Sequence, residues 1–332
     1  MKSACCIIGA GYAFVAGLPL AKDLLTSEVA VVSRQAERHF QAVWHDYDKW
    51  RTENSLGNPE EYLADLYNNQ RSWPPFPWAV ELVATVLATP RGFDAGPINP
   101  RYGIRITRPS QCDMHIAFWE GVVGTFGEIA VLTTNYDLLI ERGLRHRPMK
   151  RAFGPGCYYG GLGRPQILKG TALPFTVRDQ QREVELTGSV PVYKLHGSLN
   201  WSRSRYGLEL YQDMRPAFRY GGDAAIVPPI PEKETPGWLK PVWEEAELRL
   251  SQVNCWIVCG YSLPDYDIAV QEMLKRASGP KLERILILDP DSEVIRDRYK
   301  RVAPDTEIHC LAGLPYGIRG LRNAAISGLE HA

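Results

Sequence analysis

Near its start the chain reads Ala4-Cys5-Cys6-Ile7-Ile8-Gly9-Ala10-Gly11, and these eight residues decide the fold class. Five apolar residues in succession, stopped by two glycines one residue apart, read as a strand buried on both faces that ends in a sharp turn. Such a strand belongs in the middle of a parallel sheet. A helix is expected to follow over about residues 18–32, with Pro19 in its first turn. Glycines at positions 9 and 11 let the backbone approach a pyrophosphate, and the next helix N-terminus supplies N–H donors. The third glycine is Gly17, so the spacing is not G-x-G-x-x-G. A tight turn with no ligand fits the same residues.

The strand-then-helix pattern recurs downstream. Strands are expected over 129–133, 190–195, 224–227, 255–259, 284–288 and 307–311, with helices over 137–144, 238–250, 265–277 and 292–302. The stretch between residues 145 and 189 reads as irregular. Residues 34–88 are charged, aromatic and helix-prone, with Tyr62, Leu63, Leu66 and Tyr67 at helical spacing. Pro74, Pro75 and Pro77 interrupt them before a helix over 78–88; a loop over 89–109 and a helix over 113–126 follow. Apolar strands alternating with helices imply a sheet covered on both faces. The expected fold is α/β: a Rossmann-like parallel sheet flanked by helices, formed by residues 1–33 and 127–332, with residues 34–126 as an inserted helical small domain.

Composition narrows the function. Among 332 residues, 38 Lys and Arg balance 38 Asp and Glu, so no global field is available to hold a polyphosphate backbone, and generic nucleic-acid binding is disfavoured. Hydrophobic residues make up 45%, enough for a full core. The 7 cysteines include no C-x-x-C pair, which fits buried thiols in a reducing compartment better than disulfides. The first apolar run is too short for a signal peptide or a span, so a cytoplasmic protein without membrane association is expected.

In parallel sheets ligands bind beyond the carboxyl ends of the strands, so the residues just after each strand carry the functional information. After residue 133 come Thr134, Asn135, Tyr136 and Asp137; a helix N-cap accounts for Asp137 but not for the pair with Asn135. After residue 195 come His196 and Gly197, where an imidazole suits proton transfer near neutral pH. A hydrogen-bonded core histidine, with Gly197 serving only the turn, is the other reading. Gly260, Tyr261, Ser262 and Leu263 form a second glycine–hydroxyl turn, able to donate to phosphate or ribose. Asp289 closes a late strand, as an acidic contact to ribose hydroxyls would; Asp291 is the better helix cap. Together these ends describe a dinucleotide crevice more strongly than any one of them.

The set GAGYAFVAGLP (9–19), TTNYD (133–137), KLHGSLNW (194–201), IVPP (226–229), GYSLPDYD (260–267) and ILDPD (287–291) resembles the SIR2-like, or sirtuin-fold, superfamily. It is more similar to the bacterial SIR2-like domains of antiphage defence than to the protein deacylases. The four-cysteine zinc ribbon of the deacylases is missing, and so is their Asp-Phe-Arg continuation: Gly17-Leu18-Pro19 runs into Leu20-Ala21-Lys22. The resemblance implies an NAD⁺ hydrolase that releases nicotinamide and ADP-ribose, with NAD⁺ as substrate and no metal. It implies catalytic roles for Asn135, His196 and Asp137, and cofactor contacts at Gly9, Ala10, Gly11, Tyr12, Gly17, Leu18, Pro19, Thr134, Gly197, Gly260, Tyr261, Ser262, Leu263 and Asp289. Ala13 stands where the family commonly has serine. No appended sensor domain is recognisable. Control is therefore expected from a homo-oligomer or a separate sensor protein, such as a helicase-type ATPase or an Argonaute-like protein. A non-catalytic NAD⁺ or ADP-ribose sensor, an NAD-dependent protein deacylase and a structural subunit with a vestigial crevice are the competing readings.

Overall fold

The computed structural model describes residues 2–15, 18, 20, 23–25, 38–54, 57–69, 74–88, 109–145, 156–169, 183–205, 207–211, 223–227 and 235–314. In chain order the first strands are β1 (Ser3–Ile8), β2 (Glu128–Thr133), β3 (Cys157–Tyr159), β4 (Ile167–Lys169), β5 (Val184–Glu185) and β6 (Val190–Lys194). The rest are β7 (Gly197–Ser204), β8 (Gly207–Tyr211), β9 (Asp223–Ile226), β10 (Cys255–Cys259), β11 (Arg284–Leu288) and β12 (Glu307–Leu311). The helices are α1 (Ala10–Phe14), α2 (Arg38–Glu53), α3 (Pro59–Asn68), α4 (Phe76–Ala88), α5 (Pro109–Val123), α6 (Leu139–Arg145), α7 (Lys240–Gln252), α8 (Ile268–Ala277) and α9 (Ser292–Val302).

Seven strands form a parallel sheet in the order β12-β11-β10-β1-β2-β6-β3. Every residue of β1 and of β10 is buried, as the unbroken apolar runs require. The chain winds from β1 toward β2 and β6, then returns to β10 and winds the other way. The reversal puts a topological switch point beside β1, where α/β sheets open a crevice. The α/β, Rossmann-like architecture expected from the sequence is present.

The sheet's main core includes Phe118, Trp119 and Val122 of α5. A second cluster joins Phe40, Val43 and Tyr47 of α2, Tyr62, Leu63 and Leu66 of α3, and the apolar face of α4. Tyr136, Leu199 and Ile226 complete that second cluster, so the helices pack on the loop after β2 and on β7 and β9.

Three elements depart from the expected pattern. A five-residue helix begins at Ala10, directly after β1, where only a turn was expected; most of the expected 18–32 helix lies outside the described residues, as do residues 89–108 of the loop expected over 89–109. The stretch read as irregular contains β3, β4 and β5. A five-stranded sheet, β5-β4-β8-β7-β9, holds the 224–227 strand and the residues that follow His196. Its register pairs Trp201 with Leu210 and Ser202 with Ala224, both antiparallel.

Candidate active site

Strand register brings the informative residues to one edge. Ile8 pairs with Thr133 and with Cys259, Cys259 with Leu288, and Thr133 with Lys194. The next residues (Gly9, Thr134, Gly260, Asp289 and Leu195) therefore share the carboxyl end of the sheet. A cavity of about 680 Å³ opens there, within the size range of a pocket that encloses a small organic ligand.

Asn135, Asp137 and His196 all line this cavity, although they come from two different strand ends. Asn135 is 8% exposed, and its Nδ2 donates to the Gly9 carbonyl at 2.9 Å. Its backbone N–H donates to Thr133 Oγ1 at 3.0 Å, and that hydroxyl donates to the Ile8 carbonyl at 2.9 Å. The amide is thus tied to the end of β1. Asp137 is 3% exposed and accepts the Leu139 N–H on Oδ1 at 2.8 Å, so it both opens α6 and faces the cavity. His196 is 5% exposed and lines the cavity, with the rings of Tyr136 and Trp243 at centroid distances of 6.3 and 6.4 Å from its own.

Next to the Asn135 amide the turn after β10 meets the turn after β1. Gly11 N–H donates to the Gly260 carbonyl at 2.9 Å, and Gly9 N–H to the Cys259 carbonyl at 3.1 Å. A Cβ on Gly9 would lie 2.5 Å from the Gly260 oxygen, and one on Gly260, whose φ is +64°, would lie 2.2 Å from the Tyr12 nitrogen. Close crossing of two backbones explains both glycines here before any ligand does. Ala10, Gly11, Leu18, Thr134, Gly260, Tyr261, Ser262 and Asp289 line the cavity, as does Ala13.

Four predicted positions stand apart from it. Gly9 is hidden behind the crossing. Tyr12 is wholly buried in the core, where Trp119 Nε1 donates to its hydroxyl at 2.9 Å and its carbonyl lies 2.8 Å from His115 Nε2. Burial pushes the Tyr12 phenol well above its ordinary range. Gly197 has φ +82°, and a Cβ there would lie 1.9 Å from the Ala225 oxygen, so this glycine lets the chain swing from β6 into β7 beside β9. Leu263 is buried with φ +49° and does not line the cavity. Gly17 and Pro19 lie outside the described residues.

The charge layout is uneven. Asp137, Asp267, Asp289 and Asp291 line the cavity, and among the described lining residues Arg298 is the only fixed cation. Its Nη1 donates to the Ser262 carbonyl at 2.9 Å, fastening α9 to the turn after β10. The sequence reading missed Arg298. Its signal was the helical spacing of Asp291, Val294, Ile295 and Arg298, which share one face of α9 toward the cavity. Asp289 accepts the Asp291 N–H on Oδ1 at 2.9 Å. Burial raises its carboxyl above the ordinary range, against the lowering effect of that N–H. Tyr261 donates its hydroxyl to Asp267 Oδ2 at 2.5 Å.

A sequence profile described as the SIR2-like domain matches residues 129–309, more than half of the chain. The chain belongs to the SIR2-like family. The matched span holds Asn135, Asp137, His196, Gly260, Asp289 and Arg298, and begins after the Gly9–Gly11 turn. Curated protein sequences give no match to this SIR2-like chain. Solved structures similar to it include a mutant Sir2 homologue in complex with 2′-O-acetyl-ADP-ribose, at 14% identity and a TM-score of 0.46, covering 98% of this chain and 91% of that one. A Sir2 homologue in complex with NAD is similar at 14% identity and a TM-score of 0.45, covering 98% and 89%. Among the described residues no helix is long and apolar enough to cross a membrane.

Proposed function

We propose that this SIR2-like chain is an NAD⁺ glycohydrolase that cleaves NAD⁺ to nicotinamide and ADP-ribose. The observation that carries the reading is the convergence of Asn135 and His196, from separate strand ends, on one cavity that also holds Gly260, Ser262, Asp289 and Arg298. The polarity of the lining supports it. The nicotinamide ring is cationic and suits the Asp137 end. The pyrophosphate is dianionic and suits Arg298 together with the Ser262 hydroxyl after β10. Asp289 then takes the adenosine ribose.

Nicotinamide leaves as a neutral molecule, so the leaving group needs no acid. As the C1′–N bond breaks, its electron pair passes to the ring nitrogen and the ribosyl centre gains oxocarbenium character. Water adds to C1′, and the proton it loses passes to His196, directly or through a ribose hydroxyl, and then to solvent. Asn135 orients the water or the ribose hydroxyls, and its tie to Gly9 means little reorganisation at the moment of reaction. We place this activity in the cytoplasm as the effector of a bacterial antiphage system, restrained by oligomer assembly or a sensor protein.

The test is to incubate the purified chain with NAD⁺, alone and in a lysate of phage-infected cells that supplies the activating partner, and follow free nicotinamide and ADP-ribose by chromatography. Release of both in equal amounts supports hydrolysis. Binding of NAD⁺ without release would make the chain a sensor, and acetyl-ADP-ribose formed from an acetyl-lysine peptide would make it a deacylase. In cells, phage resistance accompanied by NAD⁺ loss, absent in His196→Ala, supports the defence role.

A further inference from the structure

Lys194 is the last residue of β6, two positions before His196, and its side chain is 0% exposed. A buried ammonium must find partners or lose its charge. Its Nζ lies 3.2 Å from Glu141 Oε1, on a carboxylate that is 3% exposed. The same Nζ donates to the Asn135 carbonyl at 3.2 Å and also to the Asp137 carbonyl. The carbonyl between them belongs to Tyr136, and it accepts the Leu199 N–H at 2.9 Å. Three consecutive carbonyls of the Asn135–Asp137 loop are therefore all held by the segment 194–199.

We infer that Lys194 is a positioning residue: its buried ammonium clamps the Asn135 and Asp137 carbonyls, and so fixes the amide-bearing loop against the strand end that carries His196. The inference rests on the glycohydrolase reading of this site. An ordinary buried ion pair would need only Glu141. The two additional carbonyls set this lysine apart, because they flank the loop whose side chains face the cavity. A loop held at three successive peptide groups loses the freedom to carry Asn135 away from the reacting carbon, and displacement of about 1 Å in such a group costs on the order of 100-fold in rate.

The test separates the clamp from the ion pair. Lys194→Met alone would bury an uncompensated Glu141 carboxylate, so the informative variant is Lys194→Met/Glu141→Leu, which removes both charges. The clamp predicts that amide hydrogen exchange over residues 133–139 rises about tenfold or more while β10 stays as protected as in the wild type. It predicts a kcat for nicotinamide release lower by about 10- to 100-fold with KM within about twofold. Glu141→Gln, which keeps the lysine, should retain both exchange protection and kcat. Lys194→Gln/Glu141→Gln shortens the reach to both carbonyls and leaves no buried charge. It should shift both readouts in the same direction by a smaller factor, and it serves where the Met/Leu variant does not fold. Unchanged exchange over 133–139, or wild-type kcat in the double variant, overturns the clamp. So does a Glu141→Gln loss equal to that of the double variant. A wild-type chain that releases no nicotinamide either alone or in a lysate of phage-infected cells overturns the glycohydrolase reading instead, and the exchange measurement still decides the clamp.

Discussion

The two ends of the crevice are built differently. Where β2 and β6 finish, Asn135, Asp137 and His196 are each at most 8% exposed, and the loop between them is bonded at every carbonyl. Where β10 and β11 finish, Asp289 and Arg298 are part-exposed, and Phe14, Tyr266 and Val294 stand at 53%, 44% and 65% exposure on the cavity rim. A closed end with few degrees of freedom suits bond-breaking, which depends on placement. An open end suits capture and release of the larger part of a ligand. The division predicts that substitutions at the closed end lower kcat and that those at the open end raise KM.

The largest effect is expected at the closed end. His196→Ala and Asn135→Ala should each reduce nicotinamide release by roughly 10²- to 10⁴-fold, with the folded state intact by circular dichroism. Near-wild-type turnover in either variant would remove the distinction between the two ends. Next comes the crossing of the turns. Gly260→Ala requires a side chain at φ +64° and a Cβ 2.2 Å from the Tyr12 nitrogen. A loss of roughly 2–3 kcal/mol in urea denaturation is expected. At the open end, Arg298→Ala should raise KM about tenfold and leave kcat within about twofold, since a charge-assisted contact to phosphate is lost but the chemistry is not. A kcat effect there would show that the two ends are not separate.

The smallest effect concerns pH. Burial holds the Asp289 carboxyl above its ordinary range. A raised folded-state value means that the folded form binds this proton more tightly than the unfolded chain does. That contribution to stability is complete below the unfolded carboxylate range and is lost as pH rises through the folded value. Asp289→Asn should therefore raise the Tm by no more than about 2 °C near neutral pH and leave it unchanged at about pH 3. Equal shifts at both pH values would contradict the burial effect.

The parallel sheet was legible because residues 4–8, 255–259 and 285–288 are unbroken apolar runs, and the residues after them fall at one edge by register alone. The second sheet was not. In β7 both faces are buried: Leu199 and Trp201 alternate with Ser198, Asn200 and Ser202, so the period-two pattern is present but rests on only two apolar residues. Asn200 Nδ2 donates to the Tyr211 carbonyl at 2.7 Å and to the Tyr159 hydroxyl at 3.0 Å, and Ser198 Oγ donates to Asn200 Oδ1 at 2.8 Å. The Tyr159 partner, 41 positions away, leaves no local trace. Tyr12 was read as a ligand contact from its place in a glycine turn, yet the early start of α1 turns its ring into the core against Phe118 and Trp119. Arg298 was overlooked because attention to strand ends passes over a residue two helical turns further on.

The most direct test of a shared reacting centre is a crystal structure of the His196→Ala variant with intact NAD⁺ bound. The expected result is the nicotinamide ribose beside Asn135 and facing the vacated imidazole position, with the pyrophosphate at Gly260 and Arg298 and the adenosine ribose at Asp289. A reversed dinucleotide, with its adenine end at Asn135, or a nicotinamide ribose remote from residue 196, would contradict it.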